Sequence, residues 1–307
     1  MKKIKLLLCL FMLTTLCGCS NSNKNKSSKT LNAAMFWIST SLDPTNNYDG
    51  WVLSRIGVGE TLLKLNEKYE VEPSLAKSYE QIDDTTWKLT LKDSITFSNG
   101  KKVTGENVKA CLERAFEKNT RAIDYFDLNH VEADEQDVYL YLNKSSGAIL
   151  NNLCEPLFTI YDASQSEEDI ANHPLCTGPF VVDDFVSEKT IDTSKNKKYY
   201  DGKAKLDHVH FSQVADSDAR VLALQSGEVD LANTIDYSSL KLFRNNKDYQ
   251  VLEVLGPRTN VIYMNNETTF LSDLTIRKAL SYSVDRKSIV KLIGGKEATG
   301  LYSSALP

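Results

Sequence analysis

Histidine is scarce in this chain, four in 307 residues. None of His130, His173, His208 and His210 falls in an H-E-x-x-H pattern, and no G-x-S-x-G occurs. A secreted hydrolase needs histidine and carboxylate converging on a nucleophile or a metal, so these absences leave no recognisable catalytic motif and the chain reads as a non-enzyme. Cysteine is equally thin beyond residue 19, with only Cys111, Cys154 and Cys176 remaining. An odd number of widely spaced thiols without a CxxC pair excludes a disulfide framework; at most one bridge can form, and buried free thiols are the simpler reading. Positive charge is in deficit as well. With 36 basic against 41 acidic residues the net charge is −5, and it is more negative without Lys2, Lys3 and Lys5. That balance argues against a nucleic-acid partner. There is no internal repeat.

What is present begins at the N-terminus. Lys2, Lys3 and Lys5 precede an apolar run over residues 6–16, too short to span a bilayer as a finished helix, so residues 1–18 read as a secretion signal. Its end, Leu16-Cys17-Gly18-Cys19, resembles the lipobox of bacterial lipoproteins. That resemblance makes Cys19 the expected lipidation site and mature N-terminus; an ordinary signal peptide with chance cysteines, or an uncleaved anchor, is the alternative. Residues 19–30 then read as a solvated tether, since residues 21–29 offer nothing apolar to offset the entropy of ordering.

The roughly 280 residues that follow exceed one typical domain and predict two or more substructures. Residues 31–38 read as a strand before a turn-rich loop, and residues 51–58 as a short helix leading into 61–65. Trp87, Leu89 and Leu91 alternate with Thr86, Lys88, Thr90 and Lys92, which predicts a half-buried strand turning at Ser98-Asn99-Gly100. Thr104 caps a helix with Val108, Cys111, Leu112, Ala115 and Phe116 inward, ending near Asn119. Residues 131–142 read as two strands joined over 134–137, and residues 149–153 as a short helix. Gly178-Pro179 opens a strand whose partner is 189–193, and 207–214 forms another. Asp216 and Ser217 start a helix that Gly227 ends. Residues 229–231, 250–255 and 260–264 are predicted strands. Ser272 caps a helix with Ile276, Ala279, Leu280 and Ser283 on one side, and residues 288–293 begin another. Helices and strands mix without strict alternation, so a mixed α/β body is expected rather than a doubly wound sheet.

Four stretches, EPSLAKSYEQIDDTTWKLTLKDSITFSNGKKVTGENV, CTGPF, DSDARVLALQSGEVDL and TIRKALSYSVDRKSIV, follow one another behind the lipobox. In this order they resemble the extracytoplasmic solute-binding proteins of peptide and nickel ABC importers, the family 5 binding proteins, over nearly all of residues 31–307. The resemblance implies a type II, bilobed fold of the periplasmic-binding-protein kind. Residues 31–257 would form lobe I with its subdomain, and 258–307 a crossover strand and the first helices of lobe II. It implies an ABC permease and ATPase as partners, no cofactor, and a lipid anchor on the outer face of the cytoplasmic membrane. Two further stretches, NNYDGWVLSRIGVGETL and NTRAIDYF, look more like the branch that takes nickel or other transition metals bound to small organic chelators, opine-type metallophores included, than like the peptide binders. Carried over by position, Tyr48 and Trp51 are expected as cleft aromatics and Arg121 as a contact for ligand carboxylates. Arg55 and Arg258 complete the expected ligand-binding set. Guanidinium forks and aromatic faces suit a flat, anionic chelate, and the metal's ligands come mostly from the chelator, so no protein metal site is expected. Glu155, in CEPLF, is a departure: relatives in the nickel branch can carry an arginine there. An acid at this place opposes an anionic chelate or pairs with an arginine and tunes it.

Each candidate has a structural alternative. Trp51 serves equally as a core aromatic, Tyr48 as a loop residue, and Arg121 as a cation at a helix C-terminus. His208 and His210, two apart on a strand, face one way, but without a third ligand they read as a solvent face. A peptide ligand is the alternative to a chelate, with Asp43 or Asp49 receiving its amine. Family members run well beyond residue 307, which leaves most of the second lobe unaccounted for and leaves Ile276, Leu280 and Val284 facing water, at ~1.5–3 kcal/mol each. A truncated product, a half needing a separately encoded partner, or a partial sequence all fit this length. The expectation is that the 307-residue chain alone binds ligand weakly or not at all.

Overall fold

The computed structural model describes residues 28–300 apart from 255, 257 and 299, so the signal over 1–18, Cys19, most of the expected tether and Pro307 lie outside the described residues. The strands are β1 (Thr30–Met35), β2 (Leu63–Leu65), β3 (Val71–Pro73), β4 (Ala76–Gln81), β5 (Thr86–Leu91), β6 (Leu128–Asp134), β7 (Asp137–Leu142), β8 (Phe180–Val186), β9 (Thr190–Lys195), β10 (His208–Gln213) and β11 (Leu231–Ala232). The helices are α1 (Gly50–Arg55), α2 (Gly105–Lys118), α3 (Ala122–Tyr125), α4 (Ile149–Asn152), α5 (Glu167–Asn172), α6 (Ser217–Ser226), α7 (Leu274–Ser283) and α8 (Arg286–Ile293).

The alternation in β5 holds over residues 88–91 but not at its start, where Thr86 is buried and Trp87 half-buried. Leu89 and Leu91 are buried while Lys88 and Thr90 are only half-covered, and β5 lies inside an antiparallel sheet of order β4-β5-β7-β6. Val131, Val138 and Leu140 from its neighbours share the buried face. Helix α2 closes that face with Val108, Cys111, Leu112 and Ala115, all buried. Each such side chain contributes ~1.5–3 kcal/mol by leaving water. Thr104 starts α2 through a reciprocal capping box with Asn107, whose Oδ1 accepts from the Thr104 backbone N–H at 2.9 Å.

A second sheet, of order β11-β1-β10-β9-β8, is mixed. β1 runs parallel to both β10 and β11, whereas β10, β9 and β8 form antiparallel pairs. Strand β1, between β11 and β10, buries Ala33, Ala34 and Met35. The CTGPF turn leads into β8, and Gly178 is required there: a Cβ would sit 2.5 Å from the carbonyl oxygens of Gly57 and Val58. Only glycine lets the two backbones approach so closely. Cys111, Cys154 and Cys176 are free thiols.

Two expectations fail beyond β11. Residues 250–255 and 260–264 form no strand among the described residues, and Leu252, Val254, Ile262 and Tyr263 are each at least 73% exposed. An alternating or apolar pattern becomes a strand only where a neighbouring strand accepts its hydrogen bonds, and the described residues supply none. The crossover strand expected from residue 258 is therefore not formed. The cap of α7 is Asp273 rather than Ser272, its Oδ1 accepting from the Thr275 N–H at 2.7 Å. Neither α7 nor α8 buries a residue.

Candidate functional site

The loop between β1 and α1 is fixed from beneath by a charged cluster. Asp43 accepts from Arg114 Nη1 at 2.9 Å and Nη2 at 2.6 Å, and from the Thr45 N–H and hydroxyl at 2.9 and 2.8 Å. Arg114 also donates to the hydroxyl of the buried Tyr161 at 2.8 Å and to Glu167 at 2.6 Å. Burial alone pushes the Asp43 carboxyl up, but the Arg114 and Thr45 hydrogen bonds outweigh it and leave the group below the usual carboxylate range. Asp49, also buried, accepts from Asn46 Nδ2 at 2.7 Å. Burial, with the Asp43 charge nearby, raises its carboxyl to about 6. Both aspartates are thus buried and engaged within the loop, which counts against the alternative in which Asp43 or Asp49 receives a peptide amine.

Above this base the chain turns through Asn47, whose φ of 45° is a left-handed conformation that asparagine tolerates. The turn aims the Asn47 carbonyl at Arg121 Nη1, 3.0 Å away, and at Asn119 Nδ2, 3.2 Å away. Arg121 Nη2 donates to the Tyr125 hydroxyl at 2.7 Å, one turn along α3, and the guanidinium carbon stands 3.8 Å from the centre of the Tyr48 ring. Arg121 is therefore not capping the last carbonyls of α2. It is a clamped, ring-stacked cation. Tyr125 itself packs edge-on against the buried Phe158 with ring centres 5.7 Å apart.

α1 can reach this place because its first residue is glycine. A Cβ on Gly50 would lie 2.3 Å from the Pro156 carbonyl oxygen, so α1 sits directly against the single 3-10 turn Pro156–Phe158. That contact brings the Trp51 indole Nε1 within 2.9 Å of Glu155 Oε1. Trp51 is 38% exposed and Tyr48 54%, so neither is a core aromatic. Four residues on, Arg55 shares the face of Trp51, its guanidinium carbon 5.6 Å from the Trp51 ring and 5.7 Å from Phe36. Burial, then the like charge of Arg258, pushes the Arg55 pKa down.

All five expected residues, Tyr48, Trp51, Arg55, Arg121 and Arg258, line one concavity of about 460 Å³. Phe36, Trp37, Tyr125 and Glu155 complete its wall. Phe36 and Trp37 follow β1 and read only as part of its apolar run; Tyr125 is four residues past Arg121, a spacing that could have identified it. Glu155 forms an ion pair with none of the arginines. It accepts from Trp51 and lies beside the Tyr125 hydroxyl, whose pKa burial and the Glu155 charge push up to about 12. The arginines with ion pairs among the described residues are Arg114 and Arg244, both away from this wall. Three guanidiniums thus face one carboxylate, an arrangement that attracts an anion presenting paired oxygens and flat surfaces.

Among the described residues no three His, Cys, Asp or Glu side chains converge to hold a metal ion. His210 contacts Asp192 at 2.7 Å on β10, with His208 4.0 Å from Asp183, away from the concavity.

Residues 70–307 match the bacterial extracellular solute-binding proteins, family 5 (Middle). The nickel-binding protein NikA of Staphylococcus aureus (strain NCTC 8325) is 31% identical over 295 residues, which make up 95% of this chain and 59% of NikA. A crystal structure of S. aureus NikA in complex with Ni(L-His)2 aligns with a TM-score of 0.81 at 31% identity, over 91% of this chain and 60% of that one. The glutathione-binding protein GsiB of Escherichia coli O1:K1 is 28% identical over 247 residues, 78% of this chain and 48% of GsiB. The chain spans three fifths or less of each relative's length. Its mixed α/β fold is that of the bilobed periplasmic binding proteins. With more than half of its residues matched to the family, the chain belongs to the family 5 bacterial extracellular solute-binding proteins.

Proposed function

We propose that this chain is part of the solute-capturing component of an ABC importer, and that its concavity takes a nickel or other transition-metal chelate for delivery to a membrane permease and its ATPase. Capture proceeds by shape and charge with no bond made or broken, so no cofactor is involved. Lipidation at Cys19 would hold the body at the outer face of the membrane. Helices α7 and α8 would belong to a second lobe that closes on the ligand about a hinge.

One observation carries this reading: Arg55, Arg121 and Arg258 share a wall with five aromatic rings and a single carboxylate. The wall offers fork-shaped donors and desolvated faces, and it contains no set of residues to ligate a bare metal ion. A chelate brings its own ligands. The likeness to NikA supports nickel, and the likeness to GsiB keeps a peptide as the competing ligand. Asp43 and Asp49 are engaged within the loop, so Glu155 is the one carboxylate of the wall that a peptide's free amine would meet.

Titration of the 307-residue chain followed by indole fluorescence tests the proposal, because Trp37 and Trp51 line the concavity. Weak but saturable quenching by Ni(II)–L-histidine, with no response to a mixture of di- and tripeptides, is expected of this chain alone. A saturable response to the peptides alone refutes the chelate reading.

A further inference from the structure

The carboxylates around the concavity differ in what they are free to do. Asp43 is buried against Arg114, and Asp49 is buried with Asn46 as its donor. Glu155 stands half-buried in the wall itself, beside three guanidiniums, and pairs with none of them. Neutral groups surround it instead: the Trp51 indole N–H donates to it at 2.9 Å, and the Tyr125 hydroxyl lies close by. Those two are themselves fixed, Trp51 by the close seating of α1 on the Pro156–Phe158 turn and Tyr125 by Phe158 and by Arg121. A carboxylate has about four acceptor positions, and the Trp51 N–H takes one of them. Neutral donors orient the group without cancelling its charge, which a guanidinium would do.

A binding wall that needed only to attract anions would be served by arginines and rings. Keeping an uncancelled carboxylate among them penalises a purely anionic solute by like-charge repulsion and rewards one that also donates N–H. We infer that Glu155 is a specificity-determining residue, selecting solutes that carry an amine alongside their carboxylates. The chemical class is an amino-acid-type chelator, whose amine N–H groups, either as a free ammonium or on a metal-bound nitrogen, hydrogen-bond Glu155 while the arginines take its carboxylates. This rests on the reading of the concavity as the solute site.

The test compares wild type with Glu155→Gln by indole fluorescence, using Ni(II)–bis(L-histidine), Ni(II)–citrate and free L-histidine, each to millimolar concentration. Glutamine keeps an oxygen to accept the Trp51 N–H, and matching thermal melts establish that the fold is intact. Wild type should prefer the histidine complex over the citrate complex. The substitution should weaken the histidine complex about tenfold or more, the usual scale for a charge-assisted hydrogen bond, and leave citrate binding unchanged or tighter. Binding of free L-histidine equal to its complex identifies the ammonium as the donor; binding of the complex alone identifies the metal-bound amine. Equal weakening of both nickel complexes makes Glu155 a mere support for Trp51 and overturns the inference while leaving solute capture standing. A wild-type chain that prefers citrate also overturns it. Binding of no probe refutes the solute-site reading and the inference together.

Discussion

Replacing Arg114 by leucine strips Asp43 of its only cationic partner while leaving it buried. The Thr45 N–H and hydroxyl stay within 2.9 Å, so the carboxylate is not wholly abandoned, but two charge-assisted bonds vanish and the buried Tyr161 hydroxyl loses its donor. Breaking one partner of a buried ion pair costs about 3–5 kcal/mol, a large part of a typical total stability of about 5–15 kcal/mol. With a urea m-value of about 3 kcal/mol per molar for a chain of this size, the unfolding midpoint should fall by about 1–1.7 M. The loss has a pH signature. In the wild type the Asp43 carboxyl is held below its ordinary value, so its contribution is complete above the unfolded pKa of 3.8 and disappears as pH falls through the folded value. In the variant, burial without Arg114 pushes the same group up, so its charge opposes folding at neutral pH and acidification relieves the penalty. The gap between the two proteins should therefore be widest near pH 7 and narrow below about pH 4. Equilibrium urea unfolding at both pH values measures it. A cost under about 1 kcal/mol at pH 7, or one that does not change with pH, would refute the assignment of Asp43–Arg114 as the anchor of the loop.

Asp49→Asn should raise stability at pH 8 by about 1–2 kcal/mol, because the folded state holds this carboxyl near pH 6 against 3.8 in the unfolded chain. The advantage is complete above pH 6 and gone below about pH 4, and melting temperatures across that range check it. Gly50→Ala should destabilise by about 1–3 kcal/mol, since the new methyl meets immovable backbone 2.3 Å away; a shift in tryptophan emission would report that α1 has lifted from Pro156. Arg121→Lys keeps the charge but cannot reach Asn47 and Tyr125 together or lie flat on Tyr48. Affinity for Ni(II)–L-histidine should drop about tenfold, measured by fluorescence titration, with little change in melting temperature.

The parts of the fold that the sequence discloses are those whose stability is local. The alternation through β5, the Thr104 cap of α2 and the αL glycine closing α6 each depend on neighbours a few residues away. The false strands at 250–255 and 260–264 had the composition but no partner, and pairing is not a local property. In the site, Tyr48, Trp51 and Arg121 were legible by resemblance, yet their meeting depends on contacts across more than seventy positions, such as Arg121 with Asn47. Phe36 and Trp37 enter the wall only because β1 ends there, which no pattern in their own segment reveals. Glu155 was visible as an oddity; that it is held by an indole rather than by an arginine required the packing of α1 on the turn after it.

The position of β1 in its sheet bears on the order in which the chain can fold. It lies between β10 and β11, parallel to both, yet these two partners arrive 178 and 198 residues later along the polypeptide, as the Lys29–Asp207 and Asn32–Asp230 contacts record. Non-local pairing of this kind is slow to nucleate because a long loop must close before any hydrogen bond forms. The amino-terminal strand consequently waits unpaired until β10 has been made and brought back to it.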